Sequence, residues 1–259
     1  MTAMSDAADA RLARPMDLGA ILDGAFSLYR RNFVVLVGAF GILLVPIALL
    51  AIAIGGAAIF LLPPVATLVT PAIGALAVAD VAVGIRPTIG GIWSRMARIL
   101  PALLLTELIT LFAVGLGTLL LVIPGILFYV WFSLSAQAVA MENFRYFSAL
   151  GRSRRLVKGS WWRVFGILIV IGLVVGIASN LVETFVLALL GALGIGSGVS
   201  VLAPSSGTAH LASISRLLAA TISTVLVGPV SALASALLYF DLRLRKEGTD
   251  IAAAVDALE

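Results

Sequence analysis

The side chains most able to do chemistry in this chain are a few ionisable groups set within long apolar stretches. Glu107 lies in one such stretch, where a carboxyl group requires a polar partner, a water-filled cavity or a proton. Asn180 and Glu183 share a later stretch, and Arg216 begins the last one, so a Glu183–Arg216 pair is one expectation. A transport or gating role would use these groups, whereas side chains that simply reach interfacial water would not.

Basic clusters lie beside the apolar stretches, and the densest runs from Arg145 to Arg163 with six basic residues and no acid. Such clusters next to a membrane helix attract anionic lipid, at about 1 kcal/mol for each residue. The alternative is that the charges only fix topology and that the neighbouring Trp161-Trp162 pair only forms part of the aromatic belt. The head-group candidates are Arg152, Arg154, Arg155, Lys158 and Arg163.

A third group of charges, mixed in sign, follows the last apolar stretch. This tail motif consists of Asp241, Arg243, Arg245, Glu247 and Asp250. It could dock on the basic clusters or on a partner protein. It could equally be a helix end stabilised by local ion pairs, each worth roughly a few tenths of a kcal/mol.

The sequence contains no pattern typical of an enzyme. No Ser/His/Asp set, paired acid/base carboxylates or metal-ligand spacing is present, and the chain has no cysteine. The glycines of Gly194–Thr208 lack the preceding strand and the lysine of a phosphate-binding loop. We therefore predict a protein that is not an enzyme and that uses no metal and no cofactor.

Composition places the chain in a membrane. Of its 259 residues, 61% are hydrophobic and 12% are charged, against roughly 45–50% and about 25% in soluble domains. A soluble fold of this size could not hide so much apolar surface. The pI near 10 would suit nucleic acid, but the positive charges flank apolar stretches. Membrane lipids with anionic head groups are the expected partners, and nucleic acid is not.

Six segments are long and apolar enough to cross a bilayer core about 30 Å thick, which takes roughly 20 residues. We expect a flexible cytoplasmic tail at residues 1–15, a membrane domain at 16–250 and a C-terminal cytoplasmic tail at 251–259. Pro46 and Pro229 should kink the first and last spans. The predicted spans are Phe33–Leu62, Val65–Val83, Ile99–Leu121, Ile123–Met141, Val164–Leu190 and Leu217–Phe240.

The connections between these spans alternate in charge, and all but one of the 17 Lys and Arg residues fall on one side. Because Lys and Arg mark the cytoplasmic side, both termini are predicted to be cytoplasmic, in a bacterial plasma membrane. Amphipathic segments with basic faces precede the three pairs of spans and are expected to lie in the interface. The segments are Asp17–Asn32, Pro87–Arg98 and Phe144–Arg163, and the returning helices end near Asp80, Glu142 and Asp241. The predicted fold is an all-α integral membrane protein of six transmembrane helices in three hairpins, with amphipathic interfacial helices on the cytoplasmic side.

Four stretches of the chain carry a family resemblance, namely Leu18–Phe33, Ile123–Ile126, Gly151–Arg163 and Tyr239–Asp250. They resemble the membrane domain associated with bacterial glycerophosphoryl diester phosphodiesterases. The resemblance implies a six-helix membrane module, sometimes fused to a soluble phosphodiesterase barrel and often free-standing. The hydrolase chemistry of the fused form uses a histidine pair and a carboxylate-bound metal, whereas this chain has one histidine. We therefore expect the free-standing form, and we carry over no activity.

Two functions remain open at this point. The residues favour a non-enzymatic module that organises anionic lipids, partner proteins or further copies of itself through its basic cytoplasmic face. The alternative is a small transporter or channel for a lipid-like or small organic solute. Glu107 and the interrupted first and last spans favour the alternative, because broken helices can line binding sites.

Overall fold

The computed structural model describes residues 16–61, 68–193 and 206–256, and most of these residues are helical. No β-strand occurs within those ranges, so the all-α class is confirmed. The predicted tail at 1–15 lies outside the described residues, and the backbone of the last helix continues to Asp256. The main helices are α1 (Leu18–Arg31), α2 (Phe33–Ile54), α3 (Thr70–Ala82), α4 (Ile89–Leu120), α5 (Val122–Phe132), α6 (Ser135–Glu142), α7 (Phe147–Val157), α8 (Trp161–Ala192) and α9 (Ser206–Asp256).

Five helical segments are long and apolar enough to cross a membrane. Their outer surfaces are apolar as well, since Leu120 is 75% exposed and Ile123 is 72% exposed. A water-soluble protein rarely presents apolar patches of this extent to solvent, so these helices indicate a membrane protein. The segments are Phe33–Ile54, Ile89–Leu120, Val122–Glu142, Trp161–Ala192 and Leu211–Glu247.

The second predicted span, Val65–Val83, is represented by the short helix α3. This helix has 13 residues and carries Pro71 in its first turn, where proline is favoured because its missing N–H would be unpaired anyway. At 1.5 Å per residue α3 is about 20 Å long, which is less than the bilayer core. It is buried against α9, where a Cβ on Gly74 would lie 2.5 Å from the carbonyl carbon of Ala232. Glycine is therefore required for the two helices to approach so closely.

The fourth predicted span, Ile123–Met141, is broken into α5 and α6 at Ser133-Leu134. Such a break frees backbone groups that a continuous helix would pair. Ser153 of α7 satisfies two of them, because its hydroxyl donates to the Trp131 carbonyl at 2.7 Å and accepts from the Leu134 N–H at 3.2 Å. The packing of α7 thus stabilises the break.

The first amphipathic segment forms α1, and α1 packs lengthwise on α9. Gly24 lies beside Leu237, and the Tyr29 hydroxyl donates to the Leu226 carbonyl at 2.6 Å. Ile21 is fully buried on the apolar face. Phe26, on the predicted apolar face, remains 47% exposed, so the interfacial position of α1 stays a prediction.

The other two amphipathic segments differ from each other. The second, Pro87–Arg98, is not a separate helix: Thr88 caps α4 by accepting from the Gly91 N–H at 3.1 Å, and α4 then continues into the third span. The third segment contains α7, which is separate from α8 and buries Leu156 and Ser153 on its inner face. Helix α7 therefore presents its basic residues from a fixed position beside α5 and α9.

Candidate functional site

A buried carboxylate, Asp241, joins three distant parts of the chain. Its side chain is 0% exposed and accepts hydrogen bonds from the Met16 N–H at 2.7 Å and from the Arg163 guanidinium at 2.7 Å. Arg245, one turn further along α9, donates to the same carboxylate at 3.0 Å. Both arginines also donate to the Met16 carbonyl. These four residues form the Asp241 cluster, in which the start of α1, the start of α8 and the end of α9 meet.

A second carboxylate, Glu142 at the end of α6, organises the neighbouring Glu142 cluster. It accepts from Arg152 of α7 at 2.9 Å and from the Tyr239 hydroxyl at 2.6 Å. Arg152 also donates to Glu247, which in turn accepts from Arg243 at 2.7 Å. Burial lowers the pKa of Arg152, but its hydrogen bonds with Glu142 and Glu247 outweigh that effect and raise the pKa. Arg152 therefore stays charged and ties α6, α7 and α9 together.

The third acid, Asp80 at the end of α3, has an arginine partner as well. Arg95 of α4 donates to the Asp80 carboxylate at 2.5 Å and reaches the Leu76 carbonyl at 3.4 Å. Every acid that the sequence places at the end of a returning helix is thus paired with an arginine from an amphipathic segment. The sequence showed an acid near the end of each returning helix and showed the basic segments. It did not show which arginine pairs with which acid.

The five predicted head-group residues divide into two groups. Arg152 and Arg163 lie in the internal ion pairs just described, so we remove them from the lipid-binding set. Arg154, Arg155 and Lys158 are exposed, and these three residues are called the α7 surface. The Arg154 guanidinium lies 4.6 Å from the centre of the Trp131 ring, which is a cation–π distance.

Two exposed aromatic side chains lie close to the α7 surface in sequence. Phe147, at the start of α7, is 75% exposed, and Trp162, just after its end, is 78% exposed. Lys246 of α9 donates to the carbonyls of Arg155 and Lys158, which satisfies acceptors at the C-terminal end of α7. Exposed cations and exposed aromatic side chains are therefore close to each other along this part of the chain.

The intramembrane candidate Glu107 has a polar partner. Ser135, the first residue of α6, donates to its carboxylate at 2.8 Å, and Ser135 is itself buried. The contact lies at the break in the fourth span, close to Thr106, whose hydroxyl accepts from the Tyr146 N–H at 3.0 Å. In the part of the chain that the structure describes, no cation is paired with Glu107. A polar partner was one of the environments expected for Glu107, but no pattern in the sequence pointed to Ser135.

The remaining intramembrane candidates are not brought together. Asn180 and Arg216 are exposed and Glu183 is half-buried, and the ion pairs among residues 16–61, 68–193 and 206–256 do not include Glu183 with Arg216. The expectation of this pair is wrong. The reason is that both side chains have access to the surroundings, where a pair gains little over separate solvation.

The tail motif combines both of its predicted roles. Asp241 and Glu247 dock on Arg163 and Arg152, while Asp241–Arg245 and Arg243–Glu247 are local pairs one turn apart. The side chain of Asp250 lies outside the described residues. The helix end is therefore both locally paired and locked onto α7 and α8.

Metal binding was not predicted, and the described side chains contain no group of three or more His, Cys, Asp or Glu residues that could hold a metal ion. The family model described as "Domain of unknown function (DUF7847)" matches residues 64–242, which is more than half of the chain. The chain belongs to this family. No curated protein and no solved structure matches the chain.

Proposed function

We propose that this DUF7847 protein is a non-enzymatic, multi-pass module of the bacterial plasma membrane that binds anionic lipid head groups through its cytoplasmic face. The observation that carries the proposal is the α7 surface: Arg154, Arg155 and Lys158 remain exposed while Arg152 and Arg163 are held in internal ion pairs. Three cations near a membrane surface would contribute about 3 kcal/mol toward anionic lipid. A partner protein or a second copy of the chain is the other occupant that such a surface could take.

The neighbouring aromatics support a lipid occupant. Phe147 and Trp162, which precede and follow the α7 surface in sequence, are largely exposed. Tryptophan prefers the head-group level of a bilayer, because its ring is apolar and its N–H is polar. A surface that offers both cations and exposed aromatic rings matches the chemistry of that layer better than it matches bulk water.

We further propose six transmembrane helices in three hairpins with both termini cytoplasmic. The support is the Asp241 cluster, in which Met16, Arg163 and Asp241 meet. Chain segments that meet at one membrane face are joined by an even number of crossings. Between Arg163 and Asp241 these are α8 and α9. Between Met16 and Arg163, the long apolar segments number three, so Val65–Val83, which contains α3, would complete the fourth crossing.

The resemblance to the membrane domain associated with glycerophosphoryl diester phosphodiesterases is kept as part of the proposal. Two of the four stretches that carry it are Gly151–Arg163 and Tyr239–Asp250. They contact each other through Arg152–Glu247 and Arg163–Asp241. A resemblance carried by two stretches that fold into one cluster is consistent with a shared structural core.

The experiment that tests the lipid proposal compares two charge-matched variants in lipid nanodiscs. Arg154→Gln, Arg155→Gln and Lys158→Gln are combined in one variant, and the exposed residues Arg30, Arg31 and Arg86 are changed to Gln in the control. Native mass spectrometry then counts the phosphatidylglycerol and phosphatidylcholine molecules that each variant retains. We expect the α7 variant to lose phosphatidylglycerol selectively, and wild-type retention to fall with added salt.

Two results would count against the proposal. Equal losses of phosphatidylglycerol in both variants would show that only net charge matters and that the α7 surface is not a site. Unchanged retention in the α7 variant, together with a dimer mass or a bound protein that disappears, would reassign the surface to a protein partner.

A transporter or channel for a small or lipid-like solute is the second candidate. The observation that favours it is the Glu107–Ser135 contact at the break between α5 and α6. Broken membrane helices line the substrate sites of many transporters, because their ends offer unpaired backbone groups. Variants of Glu107 distinguish the two functions.

A further inference from the structure

A cavity unrelated to the charged clusters lies between α3, α8 and α9. Its volume is about 250 Å³, and it is partly open. This is close to the lower end of the volumes of small-molecule pockets, roughly 300–1,000 Å³. Its walls carry hydroxyl groups and apolar surface, and no charged side chain lines it; the hydroxyl residues are Thr70, Ser179, Thr224, Ser231 and Ser235.

Two of these hydroxyls use their protons inside α9. Thr224 donates to the Ala220 carbonyl at 2.8 Å, and Ser235 donates to the Ala232 carbonyl at 3.0 Å. Ser235 also accepts from the side-chain amide of Gln137 at 2.9 Å. The oxygens of Thr224 and Ser235 therefore remain available to the cavity as hydrogen-bond acceptors.

Two other hydroxyls are not engaged. Ser179 and Ser231 line the cavity, and their side chains make no hydrogen bond to any residue that the structure describes. A serine hydroxyl is both a donor and an acceptor. The cavity thus offers donors and acceptors together, without a charge.

The polar character of this region extends behind the wall. Gln137 of α6 is fully buried, and its Oε1 has no hydrogen-bond partner among the described residues. Pro229 has no N–H, so the Val225 carbonyl in the turn between Thr224 and Gly228 loses its helical donor. Neither Gln137 nor Val225 lines the cavity, so these groups add polarity behind the wall and make no contact with an occupant.

We propose that this cavity binds a neutral, polyhydroxylated group of about the size of glycerol. A charged ligand would find no counter-charge among the lining residues, and an acyl chain would leave Ser179 and Ser231 unpaired. A polyol matches the mixture of donors and acceptors with its hydroxyls and the apolar wall with its C–H groups. This site is separate from the α7 surface, which selects for negative charge.

The same chemistry can come from a free polyol or from the head group of a neutral lipid. Both are tested on the full chain in phosphatidylcholine nanodiscs, with radiolabelled glycerol in one arm and radiolabelled monooleoylglycerol in the other. The test variant combines Ser179→Ala with Ser231→Ala. The control is Thr221→Ala, because Thr221 lies on the same helix and its hydroxyl donates only to the Leu217 carbonyl.

We expect wild-type protein to bind at least one of the two probes, and the double variant to bind it at least about fivefold more weakly, as the loss of two hydrogen bonds implies. The Thr221→Ala control should bind within about twofold of wild type. Binding of glycerol assigns the site to a free polyol, and binding of monooleoylglycerol alone assigns it to a lipid head group. No binding of either probe, or an equal loss in the control, overturns the proposal.

A second measurement does not depend on the stability of the double variant. The chain has no cysteine, so Ser231→Cys introduces a single thiol at the cavity wall with little change in shape. The probe that binds should slow alkylation of this thiol by at least about fivefold, and an unchanged rate overturns the proposal. The α7 triple variant should show wild-type protection, which keeps failure of the lipid proposal distinguishable from failure of this one.

Discussion

The Arg163 guanidinium donates to the Asp241 carboxylate at 2.7 Å, across 78 residues of sequence. The carboxylate is 0% exposed, while Arg163 retains 30% exposure. Burying a carboxylate is costly unless several donors compensate for its lost hydration. Met16, Arg163 and Arg245 supply those donors, so the pair fixes both the start of α1 and the end of α9.

The first prediction concerns the stability of this cluster. Arg163→Leu leaves the Asp241 carboxylate buried with one cationic partner fewer, and it should lower the free energy of unfolding by about 3 kcal/mol or more. The measurement is denaturation of the purified protein in detergent, followed by circular dichroism. The matched control is Arg243→Gln, which removes the half-exposed Arg243–Glu247 contact and a longer contact with Glu142 at 3.7 Å. Glu142 keeps Arg152 and Tyr239 as partners, so this change should cost less than about 1 kcal/mol. Equal costs for both variants would contradict this account of the cluster.

The second prediction concerns the break between α5 and α6. Ser153→Ala removes the hydroxyl that satisfies the Trp131 carbonyl and the Leu134 N–H. Leaving buried backbone groups unpaired should cost about 1–3 kcal/mol. The control is Ser148→Ala in the same helix, which removes hydrogen bonds between the Ser148 hydroxyl and the exposed backbone of Arg145. Water can replace these exposed bonds, so the control should cost less than Ser153→Ala. Hydrogen exchange at Leu134 should accelerate in Ser153→Ala, and an unchanged rate would mean that the serine does not hold the break.

The sequence carries some of these features and not others, for physical reasons. Long apolar segments predict helices because a bilayer core forces backbone groups to pair within each segment. Because the apolar segments are easy to delimit, the sequence also showed that Asp80, Glu142 and Asp241 lie near the ends of predicted helices. The choice of partner was not visible: the arginines of one basic segment look alike in sequence, yet Arg152 turns inward and Arg154 turns outward.

The packing of one helix against another could not be predicted from the sequence either. The amphipathic pattern of α1 suits lipid and protein alike, and contacts with α9 such as Tyr29 with Leu226 could not be read from it. The break at Ser133-Leu134 leaves no proline or glycine mark at that position. It depends on Ser153, which lies in another helix.

The third prediction tests the proposed topology by cysteine labelling in intact cells and in inverted vesicles. Because the chain has no cysteine, single substitutions can be made directly at the exposed residues Asp23, Leu120 and Lys158. We expect Asp23→Cys and Lys158→Cys to react from the cytoplasmic side and Leu120→Cys to react from the outside. Labelling of Asp23→Cys and Lys158→Cys from opposite sides would refute four crossings between them, and with them the six-helix proposal.

The last prediction separates the membrane module from the transporter, and it rests on Glu107. Ser135 donates to the Glu107 carboxylate at 2.8 Å, and Glu107→Gln keeps a carbonyl oxygen in reach of that donor while removing the ability to carry a charge. If the contact only joins α4 to α6, the Gln variant should unfold within about 1 kcal/mol of wild type, and Ser135→Ala should cost about as much as one lost hydrogen bond. Neither change should alter proton or solute flux in reconstituted vesicles, and this is the outcome that we expect from a module.

If Glu107 instead controls a polar pathway through the broken span, Glu107→Gln should abolish a flux that wild type supports. Ser135→Ala leaves the carboxyl group in place and should only reduce that flux. A folded Glu107→Gln protein that loses such a flux would replace the module with the transporter, because stability alone would then not explain the carboxylate at that position.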